Sequence, residues 1–235
     1  MSKQDPATTI GTLMKRAKAK PVESPAQSAD GRTDPIAELT LSFLMWEAPF
    51  TRARTAFKRV MDHAIDHNDL RVTRPEDLAG ILGKTYPLAL ERCERLHTAL
   101  EAVFAREYAV TLDNAMALGK RDGRKYLESI EDMPPYVAAR TCLVAFGSHA
   151  VPLDDRTLAR LIETGVFEDG TTIEVAQGVL ERAVKATDAL DFHQRMTDWM
   201  DKPAAAAGRK KTTKKAPAST RKKTSTKKTA SGRKR

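Results

Sequence analysis

Apolar residues recur every three to four positions through most of residues 34–201, which is the spacing of one face of an α-helix. Asp34 is predicted to cap the first of these helices, with Pro35 in its first turn. Thr73 and Glu76 have the spacing of a capping box that opens a later helix. No stretch of strand length alternates between apolar and polar residues. The pattern predicts an all-α domain with about nine or ten helices.

One predicted helix, over residues 137–146, is apolar on nearly every side. Only Arg140 and Thr141 interrupt it. A surface helix would carry a polar stripe, so this one is expected to run through the middle of the domain.

The two ends of the chain differ from the body in composition. Residues 1–33 carry few large apolar side chains and are predicted to form a flexible arm, in which only 10–17 favours a short helix. Residues 202–235 hold 14 Lys and Arg and no Asp or Glu, so this tail is predicted to be disordered. The helical domain is therefore assigned to 34–201.

The charge is divided in the same way. The chain has a net charge of +9, but residues 34–201 hold 20 basic and 28 acidic groups, a net charge of −8. No apolar stretch approaches the roughly 20 residues that a membrane helix needs, so no membrane partner is expected. The N-terminus lacks the apolar segment of a secretory signal. We therefore expect a cytoplasmic, intracellular protein.

The metal-binding side chains are few. Two cysteines, Cys93 and Cys142, are too few for a disulfide framework, an Fe–S cluster or a four-thiolate zinc site. His63 and His67 have a spacing that can bind zinc, but the sequence provides no third ligand, so an exposed helix end is the favoured interpretation. No metal or cofactor is expected.

The most informative stretch is 130–160, IEDMPPYVAARTCLVAFGSHAVPLDDRTLAR. It resembles the endonuclease III-like DNA glycosylases, the helix-hairpin-helix/Gly-Pro-Asp superfamily. Their hairpin, Leu-Pro-Gly-Val-Gly-x-Lys-Thr-Ala, aligns from Ile130 to Ala138, and their essential aspartate aligns with Asp154 without a gap. The resemblance extends over 34–200 and implies a two-lobed helical fold that binds double-stranded DNA.

The hairpin also departs from the family. Its two glycines are replaced by Asp132 and Pro134, and Pro135 follows. Proline has no N–H to offer a DNA phosphate, so the usual phosphate clamp is weakened. Tyr136 stands where the family's Schiff-base lysine would be, so lyase activity is not supported, although some glycosylase-only members carry Tyr or Ser there.

The resemblance also implies a set of site residues. Asp154 would be the catalytic carboxylate that stabilises positive charge on the sugar. The alternative is that Asp154 is only a helix N-cap and that Tyr136 is an ordinary core tyrosine. Arg140 would pair with Asp154 or Glu47, or reach the surface. The implied pocket around a flipped base contains Tyr136, Glu47, Trp46 and Arg140, and Met133 of the hairpin is the implied DNA contact.

The tail supplies a second candidate DNA contact. Its basic runs recur every four to six residues in an Ala/Thr/Ser/Pro background, a composition that resembles histone H1-type tails. Such a chain displaces counterions from DNA without reading sequence, although a solubilising or RNA-binding role is the alternative. The predicted contacts are Lys210, Lys211, Lys214, Lys215, Arg221, Lys222, Lys223, Lys227 and Lys228.

Two functions are favoured by these patterns, and a protein-interaction domain whose tail binds RNA is a third option. The first is a monofunctional DNA N-glycosylase of base-excision repair, held on DNA by its tail. The second is a catalytically inactive relative that acts as a DNA-binding, chromosome-associated or nucleoid-associated module. The alignment of Asp154 with the essential aspartate of the family favours the first function. The net negative charge of residues 34–201 and the prolines of the hairpin favour the second.

Overall fold

The computed structural model describes residues 5–26 and 33–203, and the regular elements of these two segments are all α-helices. The all-α prediction is confirmed. Eleven of these helices lie within 34–201, where nine or ten were predicted, and the twelfth lies in the predicted flexible arm. In chain order the helices are α1 (Pro6–Arg16), α2 (Pro35–Met45), α3 (Phe50–His63), α4 (His67–Val72), α5 (Pro75–Leu82), α6 (Ala89–Glu107), α7 (Asp113–Ala117), α8 (Lys120–Glu128), α9 (Pro135–Val144), α10 (Asp155–Glu163), α11 (Ile173–Ala183) and α12 (Ala189–Asp201).

Local signals fix some of the helix ends. Asp34 caps α2 as predicted, because its carboxylate accepts the backbone N–H groups of Ile36 and Ala37 at 2.9 and 3.1 Å. The capping box predicted at Thr73 is wrong. Thr73 ends α4, with its hydroxyl donating to the Asp69 carbonyl, and α5 begins at Pro75 without a side-chain cap.

Two apolar cores form, and α9 contributes to both. Tyr136, Val137 and Cys142 belong to the core built from α2 to α8. Ala139 and Leu143 belong to a second core built from α1 and α10 to α12. Every residue from 136 to 143 is buried, so the prediction that this helix runs through the middle of the domain is confirmed.

The predicted flexible arm is wrong for residues 5–26. Ile10 and Met14 of α1 are buried in the second core. The turn after α1 is tied to α12, since Lys20 donates its backbone N–H to the Asp198 carboxylate at 2.9 Å. Lys202 donates to the carbonyls of Ala17 and Lys18 at 3.0 and 2.8 Å. The composition of residues 1–33 did not predict these contacts. A short helix needs only a few apolar residues to pack against the surface that α11 and α12 provide.

The chain after Pro203 and the segment 27–32 lie outside the described residues, so the predicted disorder of the tail stays a prediction. Within the described segments, no helix is both long enough and apolar enough to cross a membrane.

Two helical glycines differ sharply in their surroundings, and this gives a test of the packing around α9. A Cβ added at Gly123 in α8 would lie 2.7 Å from the Ala115 carbonyl oxygen and 3.2 Å from the Phe146 ring. We expect Gly123→Ala to lower the free energy of unfolding by about 1–3 kcal/mol, as overpacked cores do. Urea unfolding of the variant measures the change.

Gly80 in α5 is the matched control, because a Cβ there meets no atom within 4 Å. Gly80→Ala is expected to raise the free energy of unfolding by about 0.5–1 kcal/mol, since alanine loses less backbone entropy in a helix. Equal effects of the two substitutions would contradict the close approach of α7, α8 and Phe146.

Candidate active site

A small cavity of about 20 Å³ is bounded by the end of α2, by the starts of α3, α9 and α10, and by α12. Tyr136 and Asp154 both line it, together with Phe50, His193 and Met200. This volume has room for about one water molecule. The two residues that the sequence placed at one site therefore do face the same cavity, although this cavity is closed to anything of the size of a nucleobase.

Asp154 is buried and caps α10. One carboxylate oxygen accepts the backbone N–H of Thr157 at 2.9 Å, and the other accepts the backbone N–H of Glu47 at 2.9 Å. The N-cap interpretation is therefore correct as structure. Since the same carboxylate also lines the cavity, the cap does not exclude a chemical role.

Glu47 makes the reciprocal contact. Its carboxylate accepts the N–H of Asp155 at 2.7 Å and that of Arg156 at 3.1 Å, so two carboxylates together bind the first three N–H groups of α10. Glu47 itself adopts a left-handed backbone conformation, with a φ of 54°. Burial and then the charge of Asp154 raise the pKa of Glu47, against the lowering effect of its N–H donors.

Tyr136 is buried at the start of α9. Burial, followed by the negative charge of Asp154, raises the pKa of its phenol well above the usual range, and Arg140 and Arg156 oppose this only in part. The phenol is therefore neutral and protonated at physiological pH. It supplies a hydroxyl and an aromatic face to the cavity, and no amine.

Arg140 does not pair with Asp154 or Glu47, and it does not reach the surface, so the predictions for its contacts are wrong. Its guanidinium lies 3.0 Å from the carboxylate of Glu38 in α2, and both side chains are buried. The same guanidinium nitrogen donates to the Ser42 hydroxyl at 2.9 Å. The pair forms where α2 packs against α9, beside the cavity.

The cavity also contains two residues that sequence reasoning missed. His193 is buried in α12, and burial followed by the positive charge of Arg140 lowers its pKa to about 3, so the imidazole is neutral. The Asp201 carboxylate accepts the N–H groups of Phe50 and Thr51 at 2.9 and 2.7 Å and so caps α3. No local signal in the sequence links the end of α12 to the start of α3.

Neither a protein-family model nor a curated protein matches the sequence, whereas solved structures do. Endonuclease III trapped in a covalent complex with DNA gives a TM-score of 0.61 at 15% identity, over 84% of this chain and 85% of that one. A thermostable thymine-DNA glycosylase gives 0.57 at 18% identity, over 83% of each chain. A 3-methyladenine DNA glycosylase of H. pylori, bound to 1,N6-ethenoadenine, gives 0.57 at 13% identity, over 83% and 96%. The chain has the endonuclease III-like fold.

The turn before α9 in this endonuclease III-like fold is formed by residues other than glycine. Asp132 takes a left-handed φ of 54°, a conformation that glycine adopts readily. Pro134 caps α9 with a φ of −63°, which suits proline. Met133, a predicted DNA contact, donates its backbone N–H within the turn to the Ile130 carbonyl at 3.3 Å. Pro134 and Pro135 add no N–H group to this turn.

Trp46 does not line the cavity in this endonuclease III-like fold. The guanidinium of Arg95 lies 5.0 Å from the centre of its ring, and Arg95 also donates to the Asp132 carbonyl of the hairpin at 3.1 Å. Arg95 therefore connects Trp46 to the hairpin. The predicted DNA-contacting lysines and arginine of the tail lie outside the described residues.

The two histidines considered as zinc ligands do not share a helix, since α3 ends at His63 and His67 begins α4. The ring of His67 lies 2.6 Å from the Asp34 carboxylate, which links α4 to the start of α2. Among the residues that the structure describes, no group of three or more His, Cys, Asp or Glu could hold a metal ion.

Proposed function

We propose that this protein is a monofunctional DNA N-glycosylase of base-excision repair, acting on a damaged or mismatched base in double-stranded DNA. The supporting observation is that Asp154 and Tyr136, from different helices, line one cavity in an endonuclease III-like fold. Solved structures with this fold include glycosylases bound to DNA or to a modified base, which supports DNA as the partner.

In this mechanism Asp154 is the catalytic carboxylate. As the bond between the sugar C1′ and the base nitrogen breaks, its electron pair leaves with the base and positive charge develops on the sugar. A carboxylate held by two backbone N–H donors is already in position to stabilise that charge. Water adds to C1′, losing one proton, and the departing base takes up a proton, so the balance is hydrolysis.

The neutral phenol of Tyr136 accounts for the monofunctional assignment. A lyase needs an amine that forms a Schiff base with the opened sugar, and Tyr136 provides none at this position. Its aromatic face and hydroxyl instead bind the flipped base or the sugar beside Asp154.

The closed cavity requires the site to open before catalysis. Pockets for small molecules usually measure about 300–1,000 Å³, far above the 20 Å³ of this cavity. The turn between α2 and α3 is attached to α10 through Glu47, so opening must separate other walls, of which Phe50 and the end of α12 are the nearest.

A catalytically inactive DNA-binding module is the second candidate. The small cavity favours it, and so does the structural role of Asp154, in which each carboxylate oxygen accepts one backbone N–H. The deciding assay is single-turnover base release by the full chain from duplexes that carry uracil, alkylated, oxidised or mismatched bases. Free base without strand cleavage supports the glycosylase. Base release coupled to strand cleavage contradicts the monofunctional assignment, and no release from any duplex favours the inactive module.

The basic tail is proposed as a tether to DNA and, in the cell, to the nucleoid. Lys202 binds the turn after α1, so a clean truncation removes residues 204–235 with their 13 cations. If only four of these cations neutralise phosphates, the slope of log affinity against log salt becomes shallower by about 3.6. Equilibrium binding to an undamaged duplex at several salt concentrations measures this. A slope that truncation leaves unchanged would remove the tether from the proposal.

A further inference from the structure

One exposed face of α3 is strongly basic in a domain that is otherwise acidic. Arg52, Arg54, Lys58 and Arg59, here called the α3 basic face, are all exposed. They make up four of the 20 basic residues in 34–201, a region with a net charge of −8. Because they are spaced i, i+7 and i, i+4, they form two rows along the helix, Arg52 with Arg59 and Arg54 with Lys58.

Most of this charge is available to a partner. Within the described part of the chain, Arg54 and Arg59 form no ion pair, and Arg52 contacts only the hydroxyl of Thr85 at 3.4 Å. That contact sets Arg52 beside the loop that carries the exposed Lys84. Only Lys58 has an acidic neighbour, Asp62 at 2.6 Å, and this exposed pair is weak in water.

The face starts at the candidate active site. Phe50 lines the cavity and its N–H is bound by Asp201, so α3 is fixed at the cavity by its first turn. Arg52 follows two residues later. The first two turns of the helix hold Arg52 and Arg54 and no acidic residue, whereas Asp62 lies in the last turn and Asp66 just beyond it.

We propose that the α3 basic face binds the phosphate backbone of duplex DNA and holds the duplex across the mouth of the Asp154 cavity. This rests on the proposed function. The hairpin has lost N–H donors at Pro134 and Pro135, so side-chain cations on a rigid helix supply the phosphate contacts instead. Arg52 to Arg59 spans about 10 Å, or about three base-pair steps. Guanidinium groups suit phosphate because they bind it in a bidentate manner.

The test compares Arg54→Gln/Arg59→Gln with Arg182→Gln/Lys185→Gln in the full chain. All four residues are exposed, and each double substitution removes two positive charges. Arg182 belongs to α11, which packs on α1 and α10, and Lys185 follows just after it, whereas α3 packs on α2, α5 and α12. Affinity for an undamaged 20-base-pair duplex is measured from 50 to 200 mM salt, and thermal unfolding midpoints establish that both variants fold.

The α3 variant is expected to make the salt slope shallower by about 1.8, so that wild type loses about tenfold more affinity than the variant across this range. The control variant should keep the wild-type slope. Equal slopes for the two variants, or a change seen with duplex RNA and not with duplex DNA, would overturn the proposal.

The base-release assay separates this inference from the function on which it rests. A shallower salt slope for the α3 variant without base release from any duplex would support the α3 basic face and reject the enzymatic function. Base release together with an unchanged slope would keep the enzyme and reject the α3 basic face. A wild-type chain that binds no duplex at 50 mM salt would overturn both.

Discussion

Asp154→Asn is expected to lower single-turnover base release by about 10²–10³-fold on whichever lesion the wild-type protein cleaves. The substitution removes the negative charge that faces the developing positive sugar, and the loss of one well-placed electrostatic group has effects of this size. The amide cannot accept both N–H groups that the carboxylate accepts, so we also expect about 1–3 kcal/mol of lost stability. Release rates are therefore compared at a temperature where both proteins are folded.

Two further variants separate the chemistry of Asp154 from its structural role. Serine is a good N-cap but carries no charge, so Asp154→Ser should keep the start of α10 and still lose base release. Asp155→Asn removes an exposed carboxylate one residue away and should leave the rate unchanged. If Asp154→Ser keeps wild-type rates, Asp154 is a cap and the glycosylase assignment fails.

The sequence was a good guide to α9 and its surroundings. A helix that is apolar on all sides must be central whatever packs on it, so its burial did not depend on knowing its partners. The resemblance to the endonuclease III-like glycosylases, rather than the spacing itself, indicated that Tyr136 and Asp154 share a site, and both residues line one cavity. Only the burial of α9 could be predicted from local sequence alone.

The errors share a different cause. The docking of α1 and the capping of α10 by Glu47 depend on which distant segments meet; the Glu47 contact to Asp154 joins residues 107 apart in sequence. A single sequence contains no signal for such pairs. Arg140 illustrates this, since its charge on an apolar helix indicated a partner, but the sequence did not identify Glu38.

The pair of Glu38 and Arg140 is expected to have the largest effect on stability. Arg140→Met alone leaves the buried carboxylate of Glu38 without its cation, and breaking such a pair costs about 3–5 kcal/mol. For a domain of this size, that lowers the thermal unfolding midpoint by about 10 °C. Differential scanning calorimetry at neutral pH measures the shift.

The double variant Glu38→Leu/Arg140→Met distinguishes charge from packing at the same position. Removing both charges removes the desolvation cost together with the attraction, so the double variant should recover most of the stability lost by Arg140→Met. Lys125→Met, which breaks the exposed pair with Asp122 at 2.9 Å, is the matched control and should leave the midpoint unchanged. A double variant that is less stable than Arg140→Met would contradict this expectation. It would mean that the hydrogen bonds of Arg140 to Ser42 and to the Glu38 carboxylate stabilise the packing of α2 against α9 by more than the burial of the two charges costs.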